Sequence, residues 1–182
     1  NLKKAILLRI RREVKAHERD GGGGHIAAKL NALVDKAVIR ALYGASMAGV
    51  KVDLLVRGIC CLRPGVPRVS ENIRVTSVVG RFLEHARIYY FRNGGDDEVF
   101  LGSADWMPRN LEGRVEVVFP IEDEIHKSGI RDEILFRQLA DNSQARVLLP
   151  DGTYERLVPG GQQPIHSQRE FLSSPASWHG IA

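Results

Sequence analysis

The tightest constraint on the fold lies between His25 and Val56. His25-Ile-Ala-Ala-Lys-Leu-Asn-Ala-Leu33 is a mainly apolar run of strand length, and Val50-Lys-Val-Asp-Leu-Leu-Val56 is a second. Between them Asp35 is placed to cap a helix over 36–47, because its short carboxylate can accept from the first unpaired backbone N–H groups. Ala37, Val38, Ala41, Leu42 and Ala45 form one apolar stripe on that helix, and Gly49 closes it. A strand, a capped helix and a second strand make a parallel crossover, with the helix lying on one face of the sheet. The expected class is therefore α/β, a sheet flanked by helices.

The remaining elements are read the same way. Leu2, Ala5, Ile6 and Ile10 give a helical period that runs to about Asp20. Gly21 to Gly24 breaks that helix; no Gly-Lys-Ser/Thr follows, so the run is a flexible connector and not a nucleotide P-loop. Strands are expected over 73–79, 80–91 and 99–102, with a hairpin-like turn at Asn93-Gly-Gly-Asp96. Residues 114–119 alternate as a strand that Pro120 ends, which puts Arg114 and Glu116 on one face as a structural ion pair. A helix follows from about Glu124 to Asp141, with Ile130, Ile134, Leu135 and Leu139 at helical spacing, and then a small hairpin over 145–157. Residues 158–182 are rich in Pro, Gly, Gln and Ser; they read as a mobile tail with one short helix at most and no chemistry. One domain over 1–157 and a tail over 158–182 is the expected organisation.

Bulk properties exclude little but point one way. A net charge of +4 favours an anionic partner only weakly, so a positive site must come from placement. Cys60 and Cys61 are adjacent, which gives neither a disulfide framework nor metal-ligand spacing and fits a reducing, cytoplasmic setting. No apolar run reaches membrane-spanning length, and the start does not read as a signal peptide.

The chemistry concentrates in Gly80-Arg-Phe-Leu-Glu-His-Ala-Arg-Ile-Tyr-Tyr-Phe91. Read as a strand, this places His85, Arg87 and Tyr89 on one face, with the imidazole and guanidinium roughly 7 Å apart. Two such groups can grip one phosphoryl group, the guanidinium as a fixed fork and the imidazole as donor, acceptor or nucleophile. The same pattern also fits an ordinary edge strand with a solvated His and Arg. Arg57 stands where the second strand of the crossover ends, the place where ligands collect in open α/β sheets. Lys29 and Asn31 share a face at the end of the first strand, either as a solvated end or in support of a site. Arg63 and Arg68 on the Pro-containing loop either add field for a polyanion or only solubilise. His17-Glu-Arg19 repeats the His-x-Arg pattern on a helix, where the two side chains diverge, and is read as a solvated face. Trp106 is read as core.

Several segments, in order, carry a family resemblance: Val56-Arg-Gly-Ile-Cys-Cys-Leu-Arg-Pro-Gly-Val-Pro67, Ser70-Glu-Asn-Ile-Arg-Val-Thr76, the His85 stretch, Gly102-Ser-Ala-Asp-Trp-Met-Pro-Arg-Asn-Leu111 and Arg114-Val-Glu116. Together they resemble the C-terminal catalytic region of the long-chain polyphosphate kinases, over about Leu2 to Leu157. That family belongs to the phospholipase D-like group, whose half-sites carry His-x-Lys; here Arg87 stands where Lys is usual. The resemblance implies a phospholipase D-like mixed sheet that supplies one half-site of a two-half active site, and a chain that is a fragment of a longer enzyme. It implies reversible transfer of the γ-phosphoryl of ATP to polyphosphate, with Mg2+, through a phosphohistidine carried on the preceding domain.

By the same resemblance, Arg57 and His85 contact nucleotide phosphates, with His85 a phosphate ligand or proton-transfer partner. Arg87 is a phosphate ligand on physical grounds alone. Ser103, Asp105, Arg109 and Asn110 occupy places similar to the polar segment that trims such sites, Arg109 as a further phosphate ligand and Asp105 and Asn110 in support. Asp105 would orient an imidazole or cap its own loop. No metal ligands are expected within this chain. ATP, ADP, polyphosphate, the preceding domains and a homo-oligomer are the expected partners, with no nucleic acid, and with attachment to the inner membrane face in view. Two other readings stay open: a phosphodiesterase or nuclease half-site, and a non-catalytic polyanion-binding module. All of these need Arg57 and His85 to converge on one anion pocket.

Overall fold

The computed structural model describes residues 1–173. Eight strands form one open sheet: β1 (His25–Leu30), β2 (Lys51–Val56), β3 (Ile73–Val78), β4 (Arg87–Phe91), β5 (Glu98–Gly102), β6 (Val118–Pro120), β7 (Ala145–Leu148) and β8 (Tyr154–Arg156). Their order is β6-β5-β4-β1-β2-β3-β7-β8. The expected crossover is present: β1 and β2 pair in parallel, as do β2 and β3, and the other neighbours pair antiparallel. The mixed α/β class follows.

Helices cover both faces. α1 (Leu2–Arg19) and α2 (Lys36–Met47) pack on one, where Ile6, Ile10, Val38 and Leu42 meet Ile26, Ala28, Val52 and Leu54 in a single buried cluster. Asp35 caps α2 as its position predicts, accepting from Ala37 N–H at 2.9 Å and Val38 N–H at 3.0 Å. Such a cap stabilises by about 1 kcal/mol. On the other face lies a helical run of α4 (Glu124–Ser128), a π-helical segment (Gly129–Phe136) and α5 (Arg137–Leu139). Ile130 and Leu135 from this run bury against Ala27, Ile88, Tyr90 and Val99. The strand period of two sends neighbouring residues to opposite layers. Two short helices complete the chain, α3 (Pro108–Gly113) and α6 (Ser167–Ser173). Among the described residues, no helix is long and apolar enough to cross a membrane.

Four sequence expectations change here. The strand expected over 80–91 begins only at Arg87, and residues 81–86 form a loop, so His85 and Arg87 do not share a strand face. The loop has to cross: β3 and β4 are separated by β2 and β1, and the chain must pass over their ends to join them. The strand expected over 114–119 reduces to Val118–Pro120, and Arg114 and Glu116 form no ion pair. Glu116 is recruited instead by Ser103 Oγ and by Asn110 Nδ2, the latter at 2.9 Å. Pro108, favourable at a helix start, converts the end of the expected 103–110 loop into α3. Finally, residues 165–168 are built into the fold although their composition reads as tail: Ser167 and Gln168 are buried, and Ser167 donates to Asp141 from its N–H at 2.9 Å and its hydroxyl at 2.8 Å. The part of the expected tail from 174 to 182 lies outside the described residues.

Candidate functional site

The carboxyl ends of β1, β2, β3 and β5 and the amino ends of β4 and β7 all lie along one edge of the sheet. The segments that leave or enter there bring together Asn31, Arg57, the 79–86 loop, the 103–107 loop and Asp141. This convergence of irregular segments on a rigid sheet edge is where α/β proteins bind ligands.

Arg57 follows the last residue of β2, and its N–H donates to Leu30 O at 3.1 Å, which ties it to the end of β1. Its Nε donates to Asn31 Oδ1 at 3.0 Å, orienting the guanidinium. The terminal amino groups of Arg57 have no hydrogen-bond partner among the described residues. Asn31 Nδ2 is buried and also lacks a partner. A small cavity is lined by Lys29, Asn31, Leu55, Arg57, Glu84 and Gln138, with about 10 Å³ of room. That is about what one water molecule needs, so a phosphate group would sit on the rim and not inside.

Glu84 belongs to this cavity, and His85 is the next residue. The His85 side chain is exposed and makes no hydrogen bond or ion pair among the described residues. Arg57 and Glu84 line one cavity, and among the described residues no hydrogen bond joins Arg57 to His85. Arg87 is placed differently from expectation. Its fork is occupied: Nη2 donates to Asp105 Oδ2 at 3.0 Å, Nε to Asp105 Oδ1 at 3.3 Å, and Nη1 to His85 O at 2.7 Å. Arg87 therefore anchors the end of the loop that carries His85.

Asp105 does not orient an imidazole here. Besides Arg87 it accepts from the Asn31 and Ala32 N–H groups at 2.7 and 3.2 Å, which ties the end of β1 to the loop after β5. Asn110 supports that loop from α3, accepting from Asp105 N–H at 3.0 Å. Trp106, expected in the core, is fully buried there. Arg109 is exposed at the start of α3 with no partner among the described residues, and no contact joins it to Arg57 or His85. His17 is a packing group, not a solvated one: its Nδ1 accepts from Gly24 N–H at 3.0 Å.

Sequence reasoning named Lys29 but missed its polar partners beneath the loop, Glu84, Gln138 and Gln168. Glu84 accepts from Lys29 Nζ and from Gln138 Nε2, and Gln168 Nε2 reaches its other oxygen at 2.8 Å. Burial opposes the charge on Glu84, but Lys29, with Gln168 and Gln138, outweighs it and holds the carboxyl below its ordinary range. Burial brings the Lys29 ammonium below the ordinary lysine value against the pull of Glu84. Position beside His85 was the available signal for Glu84; Gln168 gave none. Burial pushes the Cys60 thiol up to about 11, so it is no nucleophile. Among the described residues, no group of three or more His, Cys, Asp or Glu is placed to hold a metal ion.

Comparison with known proteins returns a consistent picture. Residues 1–168 match the family described as polyphosphate kinase C-terminal domain 2. The chain is 53% identical to a polyphosphate kinase of Synechocystis over 176 residues, covering 97% of this chain and 24% of that protein. It superposes on the crystal structure of polyphosphate kinase from Porphyromonas gingivalis with a TM-score of 0.89 and 43% identity, covering 95% of this chain and 27% of that one. A phospholipase D family member, Nuc from Salmonella typhimurium, shares the fold with a TM-score of 0.53 at 14% identity, covering 78% and 89% of the two chains. The chain thus spans about a quarter of the length of the curated relatives it matches.

Proposed function

Since the chain belongs to the polyphosphate kinase family, we propose that it supplies one half-site of an ATP:polyphosphate phosphotransferase that moves the γ-phosphoryl of ATP reversibly onto polyphosphate. One observation carries this reading. Among the described residues, Arg57 presents unpaired terminal amino groups beside the cavity that holds Glu84, and His85, the next residue after Glu84, presents an unpaired ring on the same edge. Basic groups held in place by their neighbours and left without acidic partners suit an anion that arrives from outside.

In this reading Arg57 and His85 receive phosphate oxygens, and Asn31 Nδ2 supplies a further donor. The guanidinium offsets charge on the equatorial oxygens, which is where stabilisation counts in phosphoryl transfer. His85 acts as phosphate ligand or proton-transfer partner, while the phosphorylated histidine belongs to the preceding domain of the intact enzyme. Arg87, held by Asp105, positions the loop. Arg109 is a further basic group at the rim that a long polyanion could reach. Magnesium neutralises phosphate charge in such reactions. Its ligands belong to the preceding domains of the intact enzyme, and none of these side chains acts through the metal. The intact protein works in the cytoplasm or on the inner membrane face, as a homo-oligomer.

The test is ATP-dependent polyphosphate synthesis by the intact enzyme with His85→Ala. Turnover is expected to fall about 100-fold or more, in the range of one lost acid–base or electrostatic group. Wild-type turnover would remove His85 from the site.

A further inference from the structure

The polar residues under the 79–86 loop form one connected device. Gln168 reaches up from α6, and its amide grips the loop backbone in both directions: Nε2 donates to Phe82 O at 2.9 Å, and Oε1 accepts from Phe82 N–H at 3.1 Å. The same Nε2 donates to Glu84 Oε1 at 2.8 Å. Glu84 Oε2 accepts from both Lys29 and Gln138, and Lys29 Nζ donates to Gln138 Oε1 at 2.7 Å. Lys29, Gln138 and Gln168 are 6%, 1% and 5% exposed, and Glu84 is half-buried, so these bonds are partly shielded from competing water. Side chains from β1, α5 and α6 thus converge on a carboxylate whose chain neighbour is His85.

Two further observations show that the device is built and not incidental. Gly80 leaves room for it: a Cβ there would collide with Gln168 Oε1, although the Gly80 backbone needs no left-handed conformation. α6 is itself fixed at two points, through Ser167 on Asp141 and through a paired contact of Arg137 with Glu170, Nη2 to Oε1 at 2.8 Å. On its other side the loop is anchored by Arg87, which bonds the His85 carbonyl. His85 therefore stands between two fixed points while its own ring has no partner among the described residues.

We propose that Gln168, with Gln138 and Lys29, is a positioning residue for phosphoryl transfer: it clamps Phe82 and Glu84 and so sets where His85 meets the phosphate. The C-terminal segment then belongs to the catalytic apparatus, although its composition reads as a tail. This rests on the assignment of His85 to the phosphate site, and the experiment separates the two.

In the intact enzyme, Gln168→Met keeps the volume and removes the bonds, and Gly80→Ala displaces Gln168 without touching it chemically. Both are expected to speed hydrogen exchange of the Phe82 amide at least tenfold while α2 stays protected. Both should also lower the rate of ATP-dependent polyphosphate synthesis about tenfold. In a His85→Ala background Gln168→Met should cost less than twofold more, because its effect passes through His85. A purely structural role predicts equal losses in both backgrounds, and that result overturns the proposal. So does a wild-type rate with a fast-exchanging Phe82, or a Phe82 amide that stays protected. If His85→Ala alone leaves turnover intact, the site reading fails and the coupling falls with it, while the exchange data still show whether the clamp holds.

Discussion

Two histidines at opposite edges of the same sheet show what separates a structural group from an available one. His25 opens β1 and His85 precedes β4; because those strands run antiparallel, the two residues lie at opposite ends. His25 Nε2 meets Asp53 Oδ2 at 2.9 Å, and its ring stacks on Phe136 and lies edge-on to Tyr90, both with centroids 5.5 Å away. That imidazole is held by a carboxylate and two aromatic rings. Among the described residues His85 has no such partner, yet the backbone on both sides of it is tied down. A ring held by a carboxylate and by stacked and edge-on aromatics braces the fold. A ring left open on an ordered support can engage a ligand with little loss of conformational freedom.

The comparison can be broken at several points. The largest effect is expected at the open edge: Arg57→Ala should weaken ATP affinity of the intact enzyme by about 1.5–3 kcal/mol, the worth of a charge-assisted contact. Equilibrium titration with ATP checks this, and wild-type affinity would defeat the assignment. At the closed edge, His25→Ala should lower unfolding free energy by about 1–3 kcal/mol through the lost ring contacts and hydrogen bond, with kcat unchanged. Denaturant unfolding and steady-state rates measured on one preparation test both halves, and a large drop in kcat would erase the distinction between the edges.

A smaller effect is expected from acid. Burial raises the Asp141 carboxyl, but the N–H groups of Gln144 and Ser167 with the Ser167 hydroxyl outweigh it, so the folded value lies below the ordinary 3.8. Its bonds therefore contribute in full above that value and are lost as pH falls through the folded one. Glu84 shifts the same way, below its ordinary 4.5. Protection of 165–173 and of Phe82 should then stay constant down to the ordinary carboxylate range and fall together below it, as followed by hydrogen exchange; loss on raising the pH would contradict this sign. The smallest effect belongs to Arg114, exposed and unpaired: Arg114→Ala should change stability by no more than about 0.5 kcal/mol. A larger shift in thermal unfolding would restore the ion pair with Glu116 that the structure lacks.

The local elements were legible because their signals are local. The carboxylate of Asp35, the apolar stripe after it and the runs on either side set β1, α2 and β2 to within a few residues. The position of Arg57 at a strand end followed from the same pattern. What failed was range. Nothing near Gly80 says that its missing Cβ makes room for a side chain 88 positions later, and the β-rich composition of 80–91 hides a loop that must cross two strands. Arg87 and Asp105 both stand out in the sequence, but not as each other's partners, since the hairpin register that places them together is a long-range fact.

Local chemistry by itself determined the alternation of strands and helices, the parallel crossover and the basic side chains from which a phosphate site could be made, because periodicity and capping act over a few residues. Only the assembled sheet decided which of those cations stay open and which are neutralised. That choice depends on acidic and amide groups from distant segments, which reach Lys29, Arg87 and Glu84 once eight strands are in register.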